Sequence, residues 1–162
     1  MKQSEFQVKA VGQVRLVGQE GARLEIFKKH AAALEGIRGF SHLWVLCWFD
    51  QVDREALRAQ TTCEKPYVNG PERLGIWATR SPVRPNPIAM TPVPVIEVDV
   101  TKGLVRVPFI DAEDGTPILD LKPYHPAVDR IRQLAVPNWC QHWPDWYEDS
   151  ATFDWSTALN CP

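Results

Sequence analysis

HLWVLCWF, residues 42–49, is almost continuously apolar from a histidine at its mouth to a phenylalanine at its end. A run of this length and composition reads as a strand buried on both faces, the core strand of the molecule. Upstream, FQVKAVGQVRLV (6–17) and ARLEIF (22–27) read as two further strands joined by the turn GQEG, and KKHAAALEG as a short helix stopped at Gly36 or Gly39. Downstream, residues 53–60 spell one or two helical turns, PYVNGPERL is loop-like, and RLGIWAT is a strand leading into a proline-rich stretch. Residues 94–100 and 104–109 alternate around TKG, a hairpin connection whose glycine can take a positive φ. Pro92, Pro94 and Pro108 cannot donate ladder hydrogen bonds and belong at sheet edges, strand starts or bulges. Many short strands with few long helices predict a mostly β fold: a single compact β-barrel or curled antiparallel sheet with short helices.

With 162 residues, 44% of them hydrophobic, the chain can bury one proper core and is too short for two ordinary domains. We expect one domain over 1–136, with a Trp-rich tail, 137–162, packed on it. The tail holds four of the seven tryptophans, four acids and no Lys or Arg, so its rings read as packing groups and not as a base-stacking surface. A formal net charge of −2 provides no global field toward nucleic acid or an anionic membrane. The N-terminus has no apolar leader core and no run is long enough to span a bilayer, so the expectation is a cytoplasmic protein without a membrane partner. Cys47, Cys63, Cys140 and Cys161 are scattered without a C-x-x-C pair. Cys140, His142 and His125 lack a second close ligand pair, and no metal is expected.

Two segments carry the candidate chemistry. In TRSPVRPNPIAM, residues 79–90, each proline fixes its own φ and restricts the residue before it, so the loop is preorganised. Arg80, Arg84 and Asn86 then meet an anionic, hydrogen-bonding ligand at little entropic cost. Between Lys65 and Met90 four basic residues face one acid, so the local field is positive although the chain's is not. In DAEDGTPILDLKPYHP, residues 111–126, a DGTP turn precedes Asp120, Lys122 and Tyr124, whose alternate spacing sets them on one face of an extended strand. They form either a polar pocket or, for Asp120 and Lys122, an internal salt bridge. No Walker loop, GxGxxG or Ser-His-Asp order supports a P-loop, Rossmann or serine-hydrolase reading.

GFSHLW, GIWATRSPVRPNPI and DGTPILDLKPY, in this order, resemble the TsaA/TrmO-like family over roughly residues 8–129. The resemblance implies a compact, usually dimeric β-barrel that binds S-adenosylmethionine and methylates the exocyclic nitrogen of threonylcarbamoyl-adenosine beside the tRNA anticodon. Carried over by motif, His42, Arg80, Ser81, Arg84, Asn86, Pro87, Thr116 and Lys122 would surround the cofactor, and Asp114, Asp120 and Tyr124 would be the catalytic candidates. Two features depart from the pattern: only GQEG separates Val17 from Ala22, where relatives carry a longer basic stretch, and Ala89 replaces the glycine after Pro-Asn-Pro-Ile. The resemblance thus implies tRNA as partner, with a small-molecule acceptor on the same barrel, or a non-enzymatic binding module using the proline-rich loop, as alternatives.

Overall fold

The computed structural model describes residues 5–160. Its chain divides into two compact units: the chain up to Asp53 with Pro87–Arg130, and Arg54–Asn86 with the chain from Ile131 onward. The strands in chain order are β1 (Gly12–Leu16), β2 (Ala22–Ile26), β3 (His42–Trp48), β4 (Thr62–Glu64), β5 (Arg73–Gly75), β6 (Ile88–Pro94), β7 (Glu97–Asp99), β8 (Leu104–Val107) and β9 (Pro117–Pro123).

The first unit is a seven-stranded antiparallel sheet in the order β6-β3-β9-β1-β2-β8-β7. Laid flat at about 4.8 Å per strand, its two edges would stand roughly 29 Å apart. Val93 of β6 and Val98 of β7 nevertheless join one apolar cluster with Leu24, Leu43, Val105 and Ile118. The sheet is therefore curled around its own core, with β6 and β7 left as edges and, among the described residues, no ladder closing it into a barrel.

β3 lies between β6 and β9, as a core strand should, but only one of its faces is fully buried. Leu43, Val45 and Cys47 are in the core, whereas His42, Trp44, Leu46 and Trp48 are half-buried on the other side. The expectation of two buried faces is corrected here: the curled sheet has one inside, and bulky aromatics occupy the outside. Burial pushes the Cys47 thiol up to about 12, which keeps it protonated and inert.

Proline placement follows from hydrogen bonding. Val95 donates its N–H to Ser41 O at 2.8 Å, so odd-numbered residues of this stretch turn their amides toward β3. Pro92 and Pro94 therefore face outward, on an edge strand where no donor is needed. The TKG hairpin is as read: Asp99 pairs with Leu104, and Gly103 adopts φ 66°. A Cβ at Gly103 would also stand 2.5 Å from Ile26 O, so both conformation and space demand glycine.

Several boundaries differ from the sequence reading. Lys28–Leu34 winds as a 3-10 helix ending before Gly36. Only Leu34 of it is buried, and with no apolar stripe to anchor it a stretch this short does not consolidate as α-helix. RLGIWAT is a strand only to Gly75, after which Ile76–Ala78 turns as 3-10. Residues 6–11 precede β1 without strand structure. The two α-helices among the described residues, α1 (Glu55–Arg58) and α2 (Pro126–Asp129), are single turns; α2 starts with Pro126 and is capped by His125 Nδ1, which accepts from Ala127 N at 3.2 Å.

The second unit contains the β4–β5 hairpin and the tail. Tyr67 bridges to Leu159, and Val68 and Asn160 exchange backbone hydrogen bonds with the opposing segment, tying the tail to residues 65–68. Tyr67 stacks on Trp139 at 4.9 Å, and Trp143 meets Tyr67, Trp139 and Trp155 edge-on. The tail's tryptophans 139, 143 and 155 are thus packing groups, and their edge-to-face geometry suits the ring quadrupoles. Cys161 lies outside the described residues.

Candidate functional site

A β-bulge on β9 sets the polar face of the sheet. Asp120 pairs with Leu46 and Ile118 with Cys47, so Leu119 is an extra residue without a partner on β3. Without it, Ile118, Asp120 and Lys122 would share one face by parity. The bulge resets the alternation, so that Ile118 lies in the core while Asp120 and Lys122 turn outward opposite Leu46 and Trp44. Tyr124 follows in the same phase, its N–H donating to His42 O at 3.0 Å.

His42, Lys122 and Tyr124 are brought together on this outer face. The Tyr124 ring lies 6.4 Å from His42 and 5.8 Å from Trp44. His42 Nδ1 is 3.0 Å from Ser41 Oγ. Lys122 Nζ forms a 2.8 Å ion pair with Asp120 Oδ2, whose other oxygen accepts from Leu121 N. The hydrogen bond to Asp120 and that carboxylate's charge hold the Lys122 ammonium above its usual pKa. The salt-bridge reading of this pair is the geometry found, and it coexists with the shared face. Sequence reasoning missed Trp44 and Asp129 here: Trp44 Nε1 donates to Asp129 Oδ1 at 3.0 Å, and Asp129 Oδ2 accepts from His125 N. A tryptophan inside an apolar run gives no sign that its indole N–H will need a carboxylate.

Asp114 and Thr116 are placed at the other end of β9 from Tyr124, roughly 20 Å or more along the strand. Asp114 accepts from Leu16 N at 2.9 Å and pairs with Arg15 Nη1 at 3.1 Å. Thr116 is buried and bonds through its carbonyl to Val14 N. Both pin the DGTP turn to β1. Pro87 is fully buried, and its carbonyl accepts from Phe49 N at 2.8 Å.

Arg80, Ser81, Arg84 and Asn86 belong to the second unit. Their loop is held by a relay of local bonds: buried Thr79 donates both N–H and Oγ1 to Ile76 O, Ser81 N donates to Thr79 Oγ1, and Val83 N donates to Ser81 Oγ. Arg84 is half-buried, with Nη1 3.5 Å from Ser81 O. Arg80 and Asn86 are exposed. Among the described residues neither Arg80 nor Arg84 pairs with a carboxylate, whereas Glu64 is paired with Arg73 and Glu72 with Lys65. Two guanidiniums without carboxylate partners among the described residues are thus left available to a ligand.

Among the described residues no three His, Cys, Asp or Glu side chains converge as metal ligands. Cys140 Sγ contacts Pro137 O, and His142 lies against Phe153. No helix among them is long and apolar enough to cross a membrane.

The curled antiparallel sheet and the Thr79-anchored Arg-Pro loop define a TrmO-type domain. Residues 3–130 match the family described as tRNA-methyltransferase O N-terminal domain, and the chain belongs to that family. Over 113 residues it is 36% identical to an S-adenosyl-L-methionine-binding protein of Archaeoglobus fulgidus, covering 70% of this chain and 76% of that one. Over 108 residues it is 38% identical to the tRNA (adenine(37)-N6)-methyltransferase of Escherichia coli K12, covering 65% of this chain and 45% of that enzyme. The solved structure of TrmO from Pseudomonas aeruginosa matches with a TM-score of 0.63 at 26% identity, covering 85% of this chain and 62% of that one. The chain therefore spans less than half the length of the E. coli enzyme and under two thirds of the solved TrmO.

Proposed function

We propose that this chain binds S-adenosylmethionine and transfers a methyl group to the exocyclic nitrogen of adenosine 37 in tRNA, in its threonylcarbamoyl-modified form. Family membership and the activities named for its relatives support the reading. The structural observation that carries it is the hydrogen-bonded loop presenting Arg80 and Arg84 free of carboxylate partners. The residues present fit the cofactor's chemistry. The two guanidiniums and the Asn86 amide suit its carboxylate and polar groups.

When bound, the cofactor supplies a sulfonium-activated methyl group to an in-line nitrogen nucleophile. The chain's part is to hold and align. A loop stiffened before binding loses little entropy on taking a ligand, and alignment is where most of the rate arises in a displacement of this kind. Asp120, which shares its face with Tyr124, is held by Lys122 Nζ and the Leu121 amide, and no carboxylate is assigned to receive the nitrogen's proton. Asp114 is engaged by Arg15 and the Leu16 amide and is given the structural role of closing the turn. In this reading the protein is cytoplasmic, works on tRNA and forms a homodimer.

The test is calorimetry with S-adenosylmethionine and S-adenosylhomocysteine, followed by labelled methyl transfer to tRNA that carries threonylcarbamoyl-adenosine and lacks only the methyl group. Binding with transfer upholds the proposal. Binding without transfer assigns the site to a small-molecule or other acceptor, a reading favoured by the short connection Val17–Gly21 between β1 and β2, which carries no basic residue. No binding by the folded protein leaves a binding module.

A further inference from the structure

Asp129 divides its carboxylate between two donors. Oδ1 accepts from Trp44 Nε1 at 3.0 Å, and Oδ2 accepts from His125 N at 2.6 Å. A carboxylate that only closed the start of α2 would need the His125 amide alone, yet the second oxygen goes to an indole on β3, 85 positions away. Between the two bonds lies Tyr124. The peptide unit before it is fixed by its own N–H, which donates to His42 O at 3.0 Å, and the unit after it by the bond from His125 N to Asp129. Its ring lies 5.8 Å from the Trp44 indole, which the other oxygen of Asp129 holds. One side chain thus constrains both the backbone and the ring of Tyr124, through hydrogen bonds strengthened by its charge.

Neighbouring polar groups on the outer face are engaged: Trp44 Nε1 with Asp129, and Lys122 with Asp120. The Tyr124 hydroxyl has no partner among the described residues, and Tyr124 is only half-buried. The geometry points to Asp129 as a positioning residue, which holds the Tyr124 hydroxyl where it hydrogen-bonds the methyl-accepting nucleoside. A phenol that needs no reorganisation orients the acceptor, and in a displacement governed by alignment an error of about 1 Å costs roughly 100-fold in rate. No proton is assigned to Tyr124. The assignment rests on the methyl-transfer reading above and deepens it, adding a residue that touches neither cofactor nor acceptor.

The experiment is a double-mutant cycle on methyl transfer to tRNA lacking only this methyl group, with wild type, Asp129→Ala, Tyr124→Phe and the double variant. Each single change is expected to lower kcat about tenfold or more, with S-adenosylmethionine affinity within about twofold of wild type. The double variant is expected to lose no more than Tyr124→Phe alone, because Asp129 acts through the hydroxyl. Asp129→Asn keeps the side chain's shape and one accepting oxygen; its kcat falls between those of wild type and Asp129→Ala, and it carries the cycle if alanine unfolds the protein. Independently of activity, the nuclear Overhauser contact between the Tyr124 ring and the Trp44 indole is expected to weaken in Asp129→Asn and to vanish in Asp129→Ala. Losses that multiply in the double variant, a wild-type rate for Tyr124→Phe or Asp129→Ala, a loss of cofactor affinity equal to the loss of rate, or an unchanged Tyr124–Trp44 contact in the Asp129 variants each overturns the inference while the methyl-transfer reading stands. Absence of transfer by the folded wild type overturns that reading and the inference with it.

Discussion

A guanidinium on a loop already ordered by its own hydrogen bonds gives a ligand more than the same group on a mobile chain, because its entropy has been spent before binding. Arg80 and Arg84 are in that position, and lysine at either site keeps the charge while losing the planar donor fork. Arg80→Lys or Arg84→Lys is expected to lower S-adenosylmethionine affinity roughly ten- to a hundredfold by calorimetry, with the melting temperature almost unmoved. The two sides of β3 make a second residue-level contrast. Leu43 is fully buried, so Leu43→Ala is expected to cost about 2–5 kcal/mol in denaturant melts. Trp44 is half-buried with its indole bonded to Asp129, and Trp44→Ala should cost less than a fully buried aromatic does, about 1–3 kcal/mol.

At the scale of elements, the bulge at Leu119 does what no single side chain does. It lets one strand supply Ile118 to the core and then present Asp120, Lys122 and Tyr124 to the outer face. Deleting Leu119 forces a choice between expelling Ile118 and burying a carboxylate and an ammonium. The expected loss exceeds about 3 kcal/mol in denaturant melts, and a variant as stable as wild type would show that the bulge does not set the face. The β7–β8 turn carries a pH dependence of its own. Hydrogen bonds from Thr101 and Lys102, with the Lys102 charge, hold Asp99 down at about 2. A carboxylate lowered in the folded state stabilises above its unfolded pKa, about 3.9, and that contribution is lost as pH falls through about 2. Amide exchange at Lys102, whose N–H donates to Asp99 Oδ1, should therefore lose protection between about pH 4 and pH 2, and Asp99→Asn should abolish that step.

For the molecule as a whole, charge limits how any RNA is held. With 18 basic and 20 acidic residues the long-range field gives no general attraction to phosphate, so any contact with RNA depends on local cations. Two phosphate contacts on a single-stranded segment predict a slope of about −1.4 in log affinity against log salt. A slope steeper than about −4 for the anticodon stem-loop would mean that a broader basic surface carries the binding.

Local chemistry was enough to read much of this protein. Pro and Gly positions depend on one residue's own φ and donor, so Gly103 in the hairpin, and the limiting of Pro92 and Pro94 to edges, strand starts or bulges, followed from the chain directly. The stiff loop and the shared face of Asp120, Lys122 and Tyr124 were legible for the same reason, since ring closure and strand parity are properties of neighbours in sequence. Register and curl are not. The shift at Leu119 exists only because β9 must pair with β3 and bury Ile118 at once, and the curl only because β6 and β7 both turn residues into one core. The half-exposed outer face of β3 and the Asp129 partner of Trp44 85 positions away both depend on what packs against what. Those choices minimise exposed apolar surface and unpaired polar groups over the whole chain, a balance that no stretch of sequence contains by itself.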